Sequence, residues 1–276
     1  ELLVDGDPED QILEWPDEGV APVNTTYAPD HYQLPANVEN AVVTSSLIQG
    51  LTGNALNNVL RADRGNSRIE GGEGDDILIG GFLGGSNDFP TVDISGADIL
   101  IGGEGDDYLI PVGGVLYHPN GQERIEPIAY LDRVLPNDVL LGGAGNDTYV
   151  LYRGGIGSIV EENPGEGIDT IRTTESYVLP ADVENLTLFG ELSSDVNGTG
   201  QELDNVLVGN AAWNRLVGLA GHDTLAGNRG ADQLVGGSGD DTYVYNTGDG
   251  IDTIEDLSLA DEGNRNKSAF NVHEDV

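Results

Sequence analysis

The sequence predicts an all-β chain, a parallel β-roll or β-solenoid wound from nine-residue repeats. Three observations predict it. Glycine recurs at nine-residue intervals, and an apolar residue holds the eighth place of each interval. The composition is also short of bulk: 41 glycines and only 6% aromatic residues suit a thin stack of tight turns better than a thick globular core.

The clearest run starts at Gly200 and reads GQELDNVLV, GNAAWNRLV, GLAGHDTLA, GNRGADQLV and GGSGDDTYV without a slip. The sixth place holds Asn205, Asn214, Asp223, Asp232 and Asp241, and the eighth Leu207, Leu216, Leu225, Leu234 and Tyr243. An earlier run opens with GNALNNVLR at Gly53, ADRGNSRIE at Ala62 and GGEGDDILI at Gly71. It is broken after Gly80, resumes at Gly96, continues as GGEGDDYLI at Gly102, breaks again near Pro111, and closes with GGAGNDTYV at Gly142.

Each unit has a physical reading. Glycines at places one, two and four can take the positive φ of a tight turn. The last three residues form a short strand whose central side chain alone points inward. Two units make one coil, and stacked coils lay parallel strands about 4.8 Å apart.

Longer echoes divide the chain. Gly167-Ile168-Asp169-Thr170-Ile171 returns as Gly250-Ile251-Asp252-Thr253-Ile254, and Tyr32–Asn40 returns as Tyr177–Asn185. The expected organisation is an N-terminal cap or linker over 1–49 and a first β-roll over 50–166 with insertions at 82–95 and 112–135. Linker strands over 167–199, a second β-roll over 200–256 and a tail over 257–276 follow. A chain that starts and stops within its own pattern reads as a piece of something larger. Ile12, Leu13 and Trp15 are expected to seal an end of the stack, either their own or a neighbour's.

The turns GGEGDD, GGEGDD, GGAGND and GGSGDD, at 71, 102, 142 and 236, resemble those of the repeats-in-toxin, or hemolysin-type, calcium-binding family. The resemblance implies that sixth-place aspartates one coil apart share a Ca2+ ion, helped by carbonyls of the glycine turn. Carried over residue by residue, it points to Asp76, Asp98, Asp107, Asp138, Asp147, Asp223, Asp232 and Asp241, with turn glycines Gly72, Gly74, Gly103, Gly105, Gly143, Gly145, Gly237 and Gly239. The expected pairs are Asp76 with Asp107, Asp107 with Asp147, Asp98 with Asp138, and Asp223 with Asp241, with Asp232 left facing only Asn214.

The chemistry agrees independently. Calcium takes six to eight oxygens at about 2.3–2.6 Å, and stacked carboxylates repel without a cation. About four ions are expected on that basis. Asn58, Ser67, Asn205 and Asn214 hold the sixth place in the opening units, where side-chain hydrogen bonds are expected to close the turn. Ala62 at place one and Leu219 at place two are further departures.

Both insertions leave the same edge in adjacent coils, so they are expected to lie side by side. The longer one reads as a hairpin, Val115-Leu116-Tyr117 against Arg124-Ile125, around Pro119-Asn120-Gly121. Phe89, Tyr117, His118, Arg124 and Tyr130 are residue types that interfaces favour, and decoration of an edge is the alternative.

Other functions are excluded or disfavoured. Forty-nine acids against eleven basic residues give a formal net charge of -38, the opposite of a nucleic-acid footprint. There is no cysteine, hence neither disulfide nor thiolate metal site, and no apolar run long enough to span a membrane. No H-E-x-x-H or G-x-S-x-G motif occurs, turn periodicity explains the paired carboxylates that would otherwise suggest a glycosidase, and His222 reads as an exposed bystander. Asp5–Asp10 lacks the glycine and glutamate of an EF-hand loop. The expectation is a non-catalytic, calcium-binding structural or adhesive module of a secreted or cell-surface protein, folding on extracellular calcium and assembling end to end. The alternatives are the export-associated C-terminal region of a secreted enzyme or toxin, and a lectin-like surface binder.

Overall fold

In the computed structural model, residues 2–4, 22–25, 31–43, 50–62, 66–82, 97–113, 115–117, 123–125, 138–151, 158–190 and 195–255 are described. Among them every regular element is a β-strand. The chain divides into two compact units, Glu1–Gly167 and Ile168–Val276.

Within the first unit, alternate strands fall into two parallel ladders. One runs Leu2–Val4, Pro22–Thr25, Asn40–Val43, Val59–Ala62, Ile77–Phe82, Tyr108–Gly113 and Thr148–Leu151. The other runs His31–Gln33, Gly50–Thr52, Arg68–Glu73, Ile99–Glu104, Val139–Ala144 and Ile159–Glu161. The register matches eighth place to eighth place, Leu60 with Leu78 and Leu78 with Leu109 on one ladder, Ile69 with Leu100 and Leu100 with Leu140 on the other. Neither insertion costs a coil: the register steps across both of them in phase.

The second unit repeats the plan. Thr170–Thr173, Asn185–Leu188, Val206–Val208, Thr224–Ala226 and Thr242–Val244 form one ladder. Tyr177–Val178, Gly198–Thr199, Arg215–Ala220, Gln233–Ser238 and Thr253–Glu255 form the other.

Position eight builds the core. Leu60, Leu78, Leu109, Leu100, Leu140, Leu207, Leu216 and Leu225 are all fully buried, and each such side chain contributes about 1.5–3 kcal/mol of transfer free energy. The two ladders approach closely enough that a Cβ on Gly198 would sit 2.8 Å from Leu186 and 3.1 Å from Leu216. That is the thin core the composition predicts.

Two details differ from the sequence reading. The longer strands run past the ninth place into the next turn, as in Ile99–Glu104 and Val139–Ala144, because consecutive turns also stack as parallel backbone. Positive φ occurs at places two and four, as in Gly72, Gly74, Gly103 and Gly105, but not at place one. The first glycine serves for space instead. A Cβ on Gly71, Gly102 or Gly142 would fall 2.0–2.2 Å from the Oδ2 of its own sixth-place aspartate.

The hairpin of the longer insertion is present as Val115–Tyr117 antiparallel to Glu123–Ile125, with Tyr117 opposite Glu123 and Leu116 opposite Arg124. Ile12, Leu13, Trp15, Phe89, His118, Tyr130 and the tail beyond 255 lie outside the described residues.

Candidate metal centre

A sixth-place aspartate ends each glycine turn and begins the next strand, so the stacking of strands also stacks the carboxylates. Asp76, Asp98, Asp107, Asp138, Asp147, Asp223, Asp232 and Asp241 are all 5% exposed or less. Burial of that degree is unusual for aspartate unless it is paired or bound to a metal.

One oxygen of each is held by the coil before it. The Asp76 amide donates to Asp107 Oδ1 at 2.8 Å, and Asp107 donates to Asp147 Oδ1 at 2.8 Å. On the other edge the Asp98 amide donates to Asp138 Oδ1 at 2.8 Å, and in the second unit Asp223 donates to Asp241 Oδ1 at 3.0 Å. These contacts bring together every aspartate pair expected from the one-coil rule. The columns begin on neutral residues: Asn58, Ser67, Asn205 and Asn214 donate their amides to Asp76, Asp98, Asp223 and Asp232.

The other oxygen points into the turn, toward the first glycine. The Oδ2 atoms of Asp76, Asp107, Asp223 and Asp232 are buried with no hydrogen-bond partner. Asp138 Oδ2 has a long contact from the Ser158 hydroxyl at 3.4 Å.

Electrostatics follow from the geometry. Burial pushes the carboxyls of Asp76, Asp98 and Asp107 up to about 7, with repulsion from Asp75 at Asp76, from Asp138 at Asp98, and from Asp76, Asp75 and Asp106 at Asp107 adding to it. Asp138, Asp223 and Asp232 rise to about 6, again chiefly by burial and against the lowering effect of the amide that each accepts. Stacked, buried carboxylate oxygens beside tightly turned backbone are a hard, oxygen-only donor set. That set fits Ca2+, which accepts mixed carboxylate and carbonyl ligands in irregular geometry, better than zinc or another metal that favours nitrogen or sulfur.

The structure adds two aspartates to those named from the nonapeptides. Asp232 does not end its column: its amide donates to Asp252 Oδ1 at 2.9 Å, and Gly230 bridges to Gly250. Repulsion from Asp252 and Asp249 helps to raise the Asp232 carboxyl. Asp169 is likewise 1% exposed, and its amide donates to Glu184 Oε2 at 2.8 Å. The signal was in the sequence. Gly167-Ile168-Asp169-Thr170-Ile171 and Gly250-Ile251-Asp252-Thr253-Ile254 carry the glycine, aspartate and apolar residue of places four, six and eight. Gly165 and Gly248 supply the positive φ of place two.

His222 is exposed, as expected, and it also touches both neighbouring coils. Its Nδ1 accepts the Asp240 amide at 3.0 Å, and its own amide donates to Asp204 Oδ1 at 2.6 Å. It stands in a second, exposed ladder at place five, where Asp75 and Asp106 occupy the equivalent positions in the first unit. Leu219 keeps the place-two conformation without glycine, at φ 89°.

The family model described as RTX calcium-binding nonapeptide repeat (4 copies) matches residues 52–82, 95–111, 137–154 and 204–243. Two curated relatives from Rhizobium meliloti (strain 1021) are similar to parts of the chain. Endo-1,3-1,4-beta-glycanase ExsH is 44% identical over 77 residues, 27% of this chain and 15% of that protein. Endo-1,3-1,4-beta-glycanase EglC is 38% identical over 97 residues, 35% of this chain and 19% of that protein. The matches thus span less than a fifth of either relative.

Proposed function

Since the chain carries RTX calcium-binding nonapeptide repeats, we propose that it is a calcium-folded structural module of an extracellular or cell-surface protein, non-catalytic in itself. The observation that supports this best is the set of buried, unpartnered Oδ2 atoms on Asp76, Asp107, Asp223 and Asp232. Such atoms carry a desolvation cost of about 1–3 kcal/mol each, more when charged, and bound cations offset it. Calcium would supply the positive charge and the remaining coordination. The chain supplies the aspartate columns, aligned by amide-to-Oδ1 bonds, and the glycine turns that admit them.

About four ions remain the expectation for the aspartate pairs named from the sequence, and Asp252 extends one column by a further pair. At low calcium the charge of -38 opposes compaction, and millimolar calcium drives folding by mass action. End-to-end assembly, or a surface ligand held by the insertions, would be built on that folded module.

The resemblance to two glycanases favours a second reading, in which the module accompanies a glycan-acting enzyme as its export-associated, calcium-binding region. Flanking sequence from the full-length gene tests this directly, and a catalytic domain on the same polypeptide is the expected finding.

Circular dichroism of the chain, titrated with calcium from a chelated start, tests the main reading. Strand signal should rise cooperatively through the micromolar-to-millimolar range, and a spectrum indifferent to chelator would overturn it.

A further inference from the structure

The second unit contains two consecutive turns that have the coil architecture with a neutral residue at the sixth place. In the nonapeptide turns at 200 and 209 the sixth place is filled by Asn205 and Asn214, exposed to 1% and 0%, while the half-buried Glu184 stands level with Asn205 in the coil before and accepts the Asp169 amide. Each carboxamide closes its own turn with its oxygen and ties it to the preceding coil with its nitrogen. Asn214 Oδ1 accepts the place-two amide of its own turn, Asn210, at 2.8 Å, while its Nδ2 donates to the Val196 carbonyl of the preceding coil at 2.7 Å and to Asn210 Oδ1 at 3.1 Å. Asn205 repeats this: its Oδ1 accepts the Gln201 amide at 2.7 Å, and its Nδ2 donates to the Glu184 carbonyl at 3.1 Å.

The second place assists. Gln201 Nε2 donates to the Val183 carbonyl at 3.1 Å, and Asn210 Oδ1 accepts the Ala212 amide at 2.8 Å. A Gly-[Asn/Gln]-x-x-x-Asn turn is therefore closed entirely by amides. The first unit has one too, at Gly53-Asn54 to Asn58. There Asn54 donates to the Pro35 and Val38 carbonyls at 2.8 and 2.7 Å, and Asn58 Oδ1 accepts the Asn54 amide at 2.8 Å.

Among the described residues of 177–217, the side chains beneath these turns form an apolar core. Leu179, Val183, Leu186, Leu188, Val196, Leu207 and Leu216 are at most 5% exposed, and no carboxylate among the described residues of 177–217 is buried. Beyond 217 the pattern changes, with Asp223, Asp232 and Asp241 all buried. The junction is direct: the Asn205 amide holds Asp223 Oδ1 at 2.9 Å, and the Asn214 amide holds Asp232 Oδ1 at 2.7 Å.

From this juxtaposition we infer that residues 177–217 form a calcium-independent folding seed, whose two amide-closed turns present the first N–H anchors to the calcium turns. The chain after residue 217 then winds onto the seed as ions bind, each aspartate being positioned by the coil before it. The inference deepens the calcium-folding reading and rests on it. It assigns a role to the neutral turns, which would otherwise count only as degenerate ion sites.

Hydrogen exchange by mass spectrometry on the whole chain, in chelator and in millimolar calcium, tests it. In chelator, strand amides within 185–217 should exchange roughly tenfold or more slowly than those within 224–255, and calcium should protect both. Equal, fast exchange of both segments in chelator, followed by calcium protection, would overturn the seed and leave calcium-driven folding intact. Strong protection of 224–255 already in chelator would instead overturn calcium-driven folding. The double variant Asn205→Asp, Asn214→Asp keeps each Oδ1 acceptor but loses both Nδ2 donors. It should lose the chelator-resistant protection and regain it in calcium. Undiminished protection in chelator would show that the amides are not what closes these turns, and would overturn the inference by itself.

Discussion

The turn Gly102–Asp107 shows three glycines serving two purposes. Gly103 and Gly105 have φ of 126° and 123°, a region that other L-residues enter only at a cost. Gly102 is constrained by its neighbours: a Cβ there would lie 2.2 Å from Asp107 Oδ2 and 2.5 Å from the Gly142 carbonyl. The variant Gly102→Ala should therefore displace the carboxylate from the turn, with a stability loss of about 1–3 kcal/mol as for other overpacked sites and a weaker calcium response. Leu219→Gly should act in the opposite direction. Leu219 is 45% exposed and holds φ 89°. Relief of left-handed strain, about 1–2 kcal/mol, exceeds the added chain entropy of glycine, about 0.4–1 kcal/mol. Thermal unfolding in saturating calcium checks both, and a fall in midpoint for Leu219→Gly would contradict the strain argument.

At the scale of the coil, the carboxylate columns give the proposed calcium-driven folding a proton dependence as well. Burial raises Asp76, Asp98 and Asp107 to about 7 and Asp138, Asp223 and Asp232 to about 6, against about 3.9 in an unfolded chain. Between those values the folded state holds protons that the unfolded state has released. The resulting stabilisation is complete below about pH 4 and disappears as pH rises through 6 to 7. In chelator, acidification from pH 8 to 5 should therefore increase strand signal, with a midpoint near 6–7 and not near 4, where exposed carboxylates titrate. Asp107→Asn, which needs no proton, should flatten the transition, and a midpoint near 4 would contradict the burial argument. Strand positions and sixth-place aspartates were legible in the sequence because a nine-residue phase fixes both face and turn. Asp169 and Asp252 fall outside the nonapeptide pattern because Pro164 and Thr247 stand at the first place, which glycine holds in the regular units. The ladder through His222 Nδ1 could not be read either. Place five varies in identity, and only the stacking of turns reveals that its side chains reach the next coil's amides.

Across the whole chain, a net charge of -38 could be relieved in two ways that differ in physics. Salt screens exposed charges over a Debye length of about 8 Å at physiological ionic strength. It does little for the Oδ2 atoms of Asp76, Asp107, Asp223 and Asp232, which are buried and without partners. Those oxygens call for a cation that sheds water and accepts an irregular cage of carboxylates and carbonyls. Calcium does so, whereas magnesium demands a near-ideal octahedron and retains its water. In chelator, about 0.5 M sodium chloride should therefore compact the chain only modestly by weakening surface repulsion. Millimolar magnesium should add little strand, and millimolar calcium should complete the fold. Small-angle scattering and circular dichroism on the same samples separate compaction from folding. A full strand spectrum in salt or magnesium alone would mean that general charge relief, and not the aspartate columns, controls folding. Compaction without strand in salt, completed only by calcium, is the outcome that stacked buried carboxylates require.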